Sequence, residues 1–258
     1  MPRVFVSPEN ITASRITIDE PSTVHHLQTV LRVAVGDRLT CVDGCGREYE
    51  GAVVACDARH LTLRVEASRP SVEVGPSLWL AHGIPKGARF DWAIEKATEL
   101  GAARIVPLLT RHTVVRMTVA GSASKVARWQ RLAAAAARQC HRAVIPAIDS
   151  PQSFHAFLAM LPLESVILMP TLQIAAPSLS DTLKRLSRAV AGPAAPCREA
   201  SEHPIILLIG PEGDFSKEEV ALAQAHGAQP VSLGSLTFRS ETAAIATLAM
   251  VRYAFGCP

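Results

Sequence analysis

Along the first 70 residues, apolar and polar positions alternate in short runs. They are Arg15-Ile16-Thr17-Ile18, Arg38-Leu39-Thr40-Cys41-Val42, Glu50-Gly51-Ala52-Val53-Val54 and His60-Leu61-Thr62-Leu63-Arg64-Val65. A period of two puts every second side chain on one face, which predicts half-buried strands. Turn residues such as Asp43-Gly44 separate the runs, and several short strands so spaced predict a small β-barrel. One short helix is expected inside it, around Val24 to Leu31, and Ser68 to Pro76 reads as a linker.

Beyond the linker, apolar runs without alternation take turns with helical patterns. Leu78-Trp79-Leu80-Ala81, Ile105 to Leu108, Val166 to Met169, Ile205 to Ile209 and Pro230 to Leu233 predict buried strands. Phe90 to Leu100, Ser124 to His141, Leu179 to Ala189, Lys217 to His226 and Glu241 to Phe255 predict helices, the first stopped by Gly101. The expected fold is α/β with a mainly parallel sheet over residues 71–258, behind a β-rich domain at residues 1–70. Residues 190–203, rich in Ala, Pro and Ser, read as a surface loop. Trp79 and Trp92 are expected in the core, and His25, His26 and His82 are read as packing or capping residues.

Composition narrows the classes. With 258 residues, 48% hydrophobic and a net charge of +3, the chain has the make-up of a folded globular protein. No apolar run approaches the ~20 residues of a membrane helix, and Met1-Pro2-Arg3-Val4 opens no signal-peptide core, so a cytoplasmic location is expected. The six cysteines (Cys41, Cys45, Cys56, Cys140, Cys197 and Cys257) lack zinc-ribbon spacing and read as reduced thiols, with no metal site.

Charge is local. From Gly101 through Ile148 there is no Asp or Glu, while Arg104, Arg111, Arg116, Lys125, Arg128, Arg131, Arg138 and Arg142 fall in the same stretch. On a wheel at about 100° per residue, Arg128, Arg131, Arg138 and Arg142 share an arc of roughly 80°, opposite Trp129, Leu132, Ala133 and Ala136. An arginine stripe without interleaved acid calls for an anion, and nucleic-acid phosphate fits. A solvated face or a subunit contact is the alternative.

Two C-terminal loops carry the candidate chemistry. Ile205 to Ile209 breaks at Gly210-Pro211-Glu212-Gly213-Asp214, and Val231-Ser232-Leu233 breaks at Gly234 before Leu236-Thr237-Phe238-Arg239-Ser240-Glu241. Adjacent loops at the ends of buried strands make a ligand pocket. Ser216 and Glu219 fit a capping box, so the first loop leads into a helix. No Gly-x-Gly-x-x-Gly and no Walker A sequence is present, which favours an adenosine-like group held by main-chain atoms over a phosphate cradle.

Together these motifs resemble the RsmE family, the 16S rRNA (uracil-N3)-methyltransferases of the SPOUT superfamily, over nearly the whole chain. The resemblance rests on His26 to Arg32 with Gly36-Asp37, Lys86-Gly87 with Glu95 to Gly101, Arg128-Trp129, Gln139-Cys140-His141-Arg142 with Pro146, Gly210 to Gly213, and Arg239 to Ala243. It implies an N-terminal PUA-like barrel, a C-terminal domain with a deep trefoil knot, a homodimer, S-adenosylmethionine as methyl donor, and 16S rRNA of the small ribosomal subunit as partner. Carried over by position, the cofactor would meet Leu168, Met169 and Pro170, then Gly210, Pro211, Glu212 and Gly213, then Leu233, Gly234, Leu236, Thr237 and Phe238. Arg32, Arg128, Arg131, Arg138 and Arg142 would meet RNA. The chain departs from the family pattern at Asp214 (usually Gly), Arg138 (usually Glu), Glu95 (usually Gln) and in Thr237-Phe238-Arg239-Ser240-Glu241 (commonly Ile-Leu-Arg-Thr-Glu).

Uracil N3 must lose its imide proton before it attacks a methyl group. Arg239 is the candidate stabiliser of the resulting anion, because a guanidinium stays charged and forks onto carbonyl oxygens. Glu241 is a candidate base or the group that fixes Arg239; a carboxylate favoured by the helix dipole is the structural alternative. Two other functions stay open: a SPOUT enzyme with another RNA target, such as a ribose 2'-hydroxyl, and a non-catalytic rRNA-binding protein.

Overall fold

The alternating runs of the N-terminal part do become strands. The computed structural model describes residues 2–71, 73, 75–115, 119–190 and 203–255. The expected 190–203 loop, Arg116, Cys197 and Cys257 lie wholly or almost wholly outside these residues. The chain divides into two compact units, Met1–Val72 with Ala137–Ile145, and Glu73–Ala136 with Pro146–Pro258.

In the first unit, β1 (Arg3–Phe5), β2 (Arg15–Ile18), β3 (Arg38–Val42), β4 (Arg47–Cys56) and β5 (Leu61–Pro70) form one sheet in the order β1-β3-β4-β5-β2. Only the β1–β3 pair is parallel. Ile16, Ile18, Leu39, Cys41, Leu61 and Leu63 bury one face, as the alternation requires. Burial pushes the Cys41 thiol up to about 12, so it packs as an apolar group.

The expected helix is a short α1 (Pro21–His25), with Pro at its first turn, running into a wide π-type turn over His26–Val30. Arg32, at φ 52°, follows that turn. The expected linker is shorter than its composition suggests. β5 runs through Ser68, Arg69 and Pro70, paired with Tyr49, Glu48 and Arg47. Arg69 reaches Glu48 (3.3 Å) and Glu50 (3.4 Å) across that ladder. β2 meets β5 along Leu61 to Arg64, so the far end of β5 is an edge, where proline is tolerated.

In the second unit, β6 (Leu78–Gly83), β7 (Ala102–Leu109), β8 (Ala147–Ile148), β9 (Gln152–Ser153), β10 (Val166–Pro170), β11 (Ile205–Ile209) and β12 (Ala228–Val231) make a seven-stranded sheet. Its order is β12-β10-β11-β6-β7-β8, with β9 also on β7, and every pairing is parallel. All five residues of β11 are buried, which explains the unbroken apolar run.

Helices α2 (Arg89–Glu99), α3 (Val119–Gln139), α4 (Phe154–Ala159), α5 (Leu179–Val190), α6 (Lys217–Ala225) and α7 (Ser240–Ala254) complete the chain. α2 buries Phe90, Ala93, Ile94, Ala97 and Thr98, a helical stripe, and Phe90 meets Trp129 of α3 edge-on at 4.8 Å. Trp92, expected in the core, lies off that stripe and is 45% exposed. Trp79 is partly buried and carries the Arg104 guanidinium 4.6 Å above its ring.

The arginine stripe is shorter than the wheel predicts. His141, at φ 60°, turns the chain after Gln139, and the Arg142 amide donates to the Ala137 carbonyl at 3.0 Å. Arg142 therefore lies beyond α3, in the segment of the first unit whose Val144 bridges Cys45. That segment also hydrogen-bonds through Ile145 to Gly44 (2.9 Å) and through Ala143 to Gly46 (3.2 Å). The stripe is not free of acid either: Asp91 of α2 pairs with Arg128 at 2.5 Å.

Candidate functional site

The carboxyl ends of the neighbouring strands β10, β11 and β12 release three loops, and a cleft of about 270 Å³ opens between them. This is where open α/β sheets bind ligands, because strand ends leave polar main-chain groups unpaired beside apolar walls. Pro170 to Leu172 form one wall, Ile209 to Glu212 with Asp214 the second, and the Leu233–Ser240 loop the third.

The turn after β11 is held by close packing and by carboxylates. A Cβ on Gly83 would lie 2.5 Å from Pro211 Cδ, and one on Gly210 would lie 2.9 Å from the Asp214 Cα. Glycine at both places lets the turn sit down on the end of β6 and fold back on itself. Asp214 takes the left-handed conformation at φ 58°, which aspartate tolerates better than most residues. Its Oδ2 accepts from Thr171 Oγ1 and from the Leu172 amide, both at 2.8 Å, and its Oδ1 accepts from the Phe215 amide at 2.7 Å. The residue that departs from the family's glycine thus ties the loops after β10 and β11 together.

Downstream, Ser216 and Glu219 form the expected capping box of α6. Glu219 is buried, and its second oxygen accepts from the Arg111 amide at 2.8 Å, fixing the loop after β7 as well.

Glu212 faces the other way. Its Oε1 accepts from the Lys86 amide (2.9 Å) and from Arg89 Nη1 (2.8 Å). Burial pushes the Glu212 carboxyl up, but the Lys86 amide and the Arg89 guanidinium outweigh it and hold it below its ordinary value. Arg89 Nε also stands 3.8 Å from Glu241, a buried carboxylate that accepts from Ser240 Oγ at 3.3 Å. Below them His82 is fully buried, its Nδ1 2.7 Å from the Gly83 carbonyl and its ring 5.6 Å from Phe90. Burial pushes its imidazole below its ordinary value, against the pull of the neighbouring carbonyls and carboxylates.

Arg239 immediately precedes α7, exposed at the rim of the cleft, and among the described residues no ion pair engages its guanidinium. Among the described residues, the ion pair of Glu241 is with Arg89. Pro170, Gly210, Pro211, Glu212, Leu233, Gly234, Leu236, Thr237 and Phe238 line the cleft.

Leu168 and Met169 do not. Both are fully buried inside β10, with Met169 in the main core, because only the last residue of a doubly covered strand reaches the crevice. Gly213 instead packs against His112 on the opposite side of the turn. Thr171, Leu172, Ile209, Asp214 and Ala243 line the cleft without having been assigned to the cofactor from the sequence. Asp214 was visible there as a departure from pattern, and the others follow the strand or helix ends.

The arginines named for RNA fall in both units. Arg128 and Arg131 are exposed on α3 in the second. In the first, Arg32 and Arg138 are exposed and Arg142 is half-buried. Arg138 joins Arg3 and His26 in lining a cleft of about 620 Å³.

Comparison with known proteins places the chain in a family. The family model of the RNA methyltransferase domain matches residues 73–252, and that of the RNA methyltransferase PUA domain matches residues 18–66. The chain is 33% identical over 251 residues to the ribosomal RNA small subunit methyltransferase E of Synechocystis sp., covering 96% of this chain and 76% of that protein. It is 25% identical over 232 residues to the protein of the same name from Bacillus subtilis, covering 89% and 87% of the two chains. Among solved structures, the ribosomal RNA small subunit methyltransferase E from Neisseria gonorrhoeae, bound to S-adenosyl methionine, superposes with a TM-score of 0.79 at 26% identity over 99% of this chain and 98% of that one. With family models over both parts and a full-length relative above 30% identity, the chain belongs to the ribosomal RNA small subunit methyltransferase E family of RNA methyltransferases.

Proposed function

We propose that the protein transfers a methyl group from S-adenosylmethionine to N3 of one uridine in 16S rRNA of the small ribosomal subunit, as a cytoplasmic homodimer whose three C-terminal loops belong to a trefoil knot. The cleft at the ends of β10, β11 and β12, with Arg239 on its rim, carries this reading. Its walls suit the donor: main-chain groups of three loops for an adenine edge, and apolar Ile209, Pro211, Leu233 and Phe238 around them, without a phosphate cradle. When bound, S-adenosylmethionine supplies a methyl group on a sulfonium leaving group.

The protein's residues then have separate tasks. The three loops place the donor, and placement alone removes much of the barrier to an in-line displacement. Arg239 offers a permanent positive charge to the uracil carbonyl oxygens as N3 becomes anionic. Glu241 takes the N3 proton, held in position by Ser240 and Arg89. Glu212 fixes Arg89 and Lys86 around it. Arg32, Arg138 and Arg142 in the first unit and Arg128 and Arg131 in the second meet phosphates of the RNA.

The test is mass mapping of 16S rRNA from a deletion strain. Loss of one N3-methyluridine, restored by this gene and not by its Arg239→Ala form, is the expected result. A methyl missing instead from a ribose hydroxyl or another base would overturn the uridine assignment.

A further inference from the structure

The Gly210–Asp214 turn has a second side. Beside the cofactor cleft, two more open hollows of about 490 Å³ each share Lys86. One is walled by Lys86, Arg89, Trp92 and Glu241. The other is walled by Lys86, Arg111, His112 and Glu212. Glu212 lines both the cofactor cleft and the second hollow, so the two are contiguous at that residue.

Three observations give this track a chemistry. Trp92 projects from α2 with 45% of its surface exposed, although the helix has a complete apolar stripe without it. Lys86 and Arg89 stand on the same wall, Arg89 tied to Glu212 and Glu241, and Arg128 is paired to the adjacent Asp91, while the neighbouring hollow adds Arg111. The same wall ends on the Glu241 carboxylate. An exposed aromatic among cations, with an acceptor at one end, matches single-stranded nucleic acid. Bases stack on the ring, and phosphates meet the cations.

We propose that this track is the nucleotide subsite of the enzyme, in which the target base stacks on Trp92 with its N3 edge toward Glu241 and its flanking phosphates meet Lys86 and Arg111. The proposal rests on the methyltransferase reading and adds the route by which RNA reaches the site. Trp92 is a binding residue here; Lys86 and Arg111 act through charge.

The test uses the full chain and a short uridine-containing single-stranded fragment of 16S rRNA. Trp92→Ala should raise the KM for RNA about tenfold while leaving the Kd for S-adenosylmethionine within about twofold, and Trp92→Phe should recover most of the loss. Lys86→Ala and Arg111→Ala should each reduce by about one the slope of log affinity against log salt. Fluorescence of the native protein should be quenched by the RNA, and that quenching should vanish in Trp92→Phe.

An unchanged KM in Trp92→Ala, or a changed sedimentation mass that makes Trp92 a subunit contact, would overturn the proposal. If the wild type binds RNA through Trp92 yet transfers no methyl group, the methyltransferase reading fails while the track stands.

Discussion

Two walls of the cleft proposed for the cofactor are built in opposite ways. The turn after β11 is braced from outside itself. Asp214 is tied to Thr171 and Leu172, Glu212 to Lys86 and Arg89, and Gly210 and Gly83 allow backbone contact that any side chain would block. The loop after β12 has little of this. Gly234, Ser235, Leu236, Thr237 and Arg239 are exposed, and the Gly234 amide donates only locally, to Ser232 Oγ at 3.2 Å. A braced wall has its ordering entropy settled by folding; an open one leaves that cost to be met by the ligand. The braced turn should therefore set affinity through shape, and the open loop should carry the groups whose contacts form late.

The strongest way to break this comparison is Arg239→Ala. Turnover on small-subunit rRNA should fall about 100-fold or more, the scale of losing one preorganised charge, with cofactor affinity little changed. Normal turnover in single-turnover assays would move the chemistry out of the open loop.

Asp214→Gly comes next. It restores the family's residue and relieves the left-handed backbone, but it removes bonds to a charged acceptor, each worth about 1.5–3 kcal/mol. Calorimetry should give a Kd for S-adenosylmethionine raised about tenfold or more, with a folded protein and a kcat at saturation that moves far less. Asp214→Asn should fall between the two. An unchanged Kd would mean that the brace is dispensable.

Leu236→Ala sharpens the contrast from the other side. The residue is 71% exposed, so its truncation should leave the melting temperature unchanged. Closure of the loop over the donor should still cost about two- to fivefold in affinity through lost apolar burial. A fall in melting temperature would show the loop to be packed before ligand arrives.

The smallest effect is the pH dependence of the Glu212 brace. Because its carboxyl is held below the ordinary value, its contribution is complete above about pH 4.3 and is lost as pH falls through the lower folded-state value. Melting temperatures of wild type and Glu212→Gln should differ at neutral pH and converge as pH falls below that folded-state value.

What the sequence made legible was local. The capping box at Ser216 and Glu219 spans three residues, and the unbroken apolar run of β11 states its own burial. The braces were not legible: Asp214 reaches a residue 43 positions away, and Arg89 reaches Glu212 across 123. No local pattern encodes such pairs, since the sheet order brings them together. Leu168 and Met169 stay inside β10 and Pro170 reaches the cleft, because position along a strand, and not membership of it, decides what faces it. Trp92 was misjudged although a signal was available: at about 100° per residue it falls roughly 200° from Phe90, off the buried stripe. Arg142 was placed on the helix because nothing in its side chain announces that the preceding His141 adopts a left-handed turn.

The return of residues 137–145 to the first unit has a consequence for anyone wishing to separate the two parts. The polypeptide is laced through its N-terminal module twice, so severing it near residue 72 would leave that module without the strip that bridges Cys45 and covers Gly44. Neither an isolated N-terminal fragment nor a graft of another RNA-binding module at a single junction should behave as an independent piece; an exchange has to replace both stretches together.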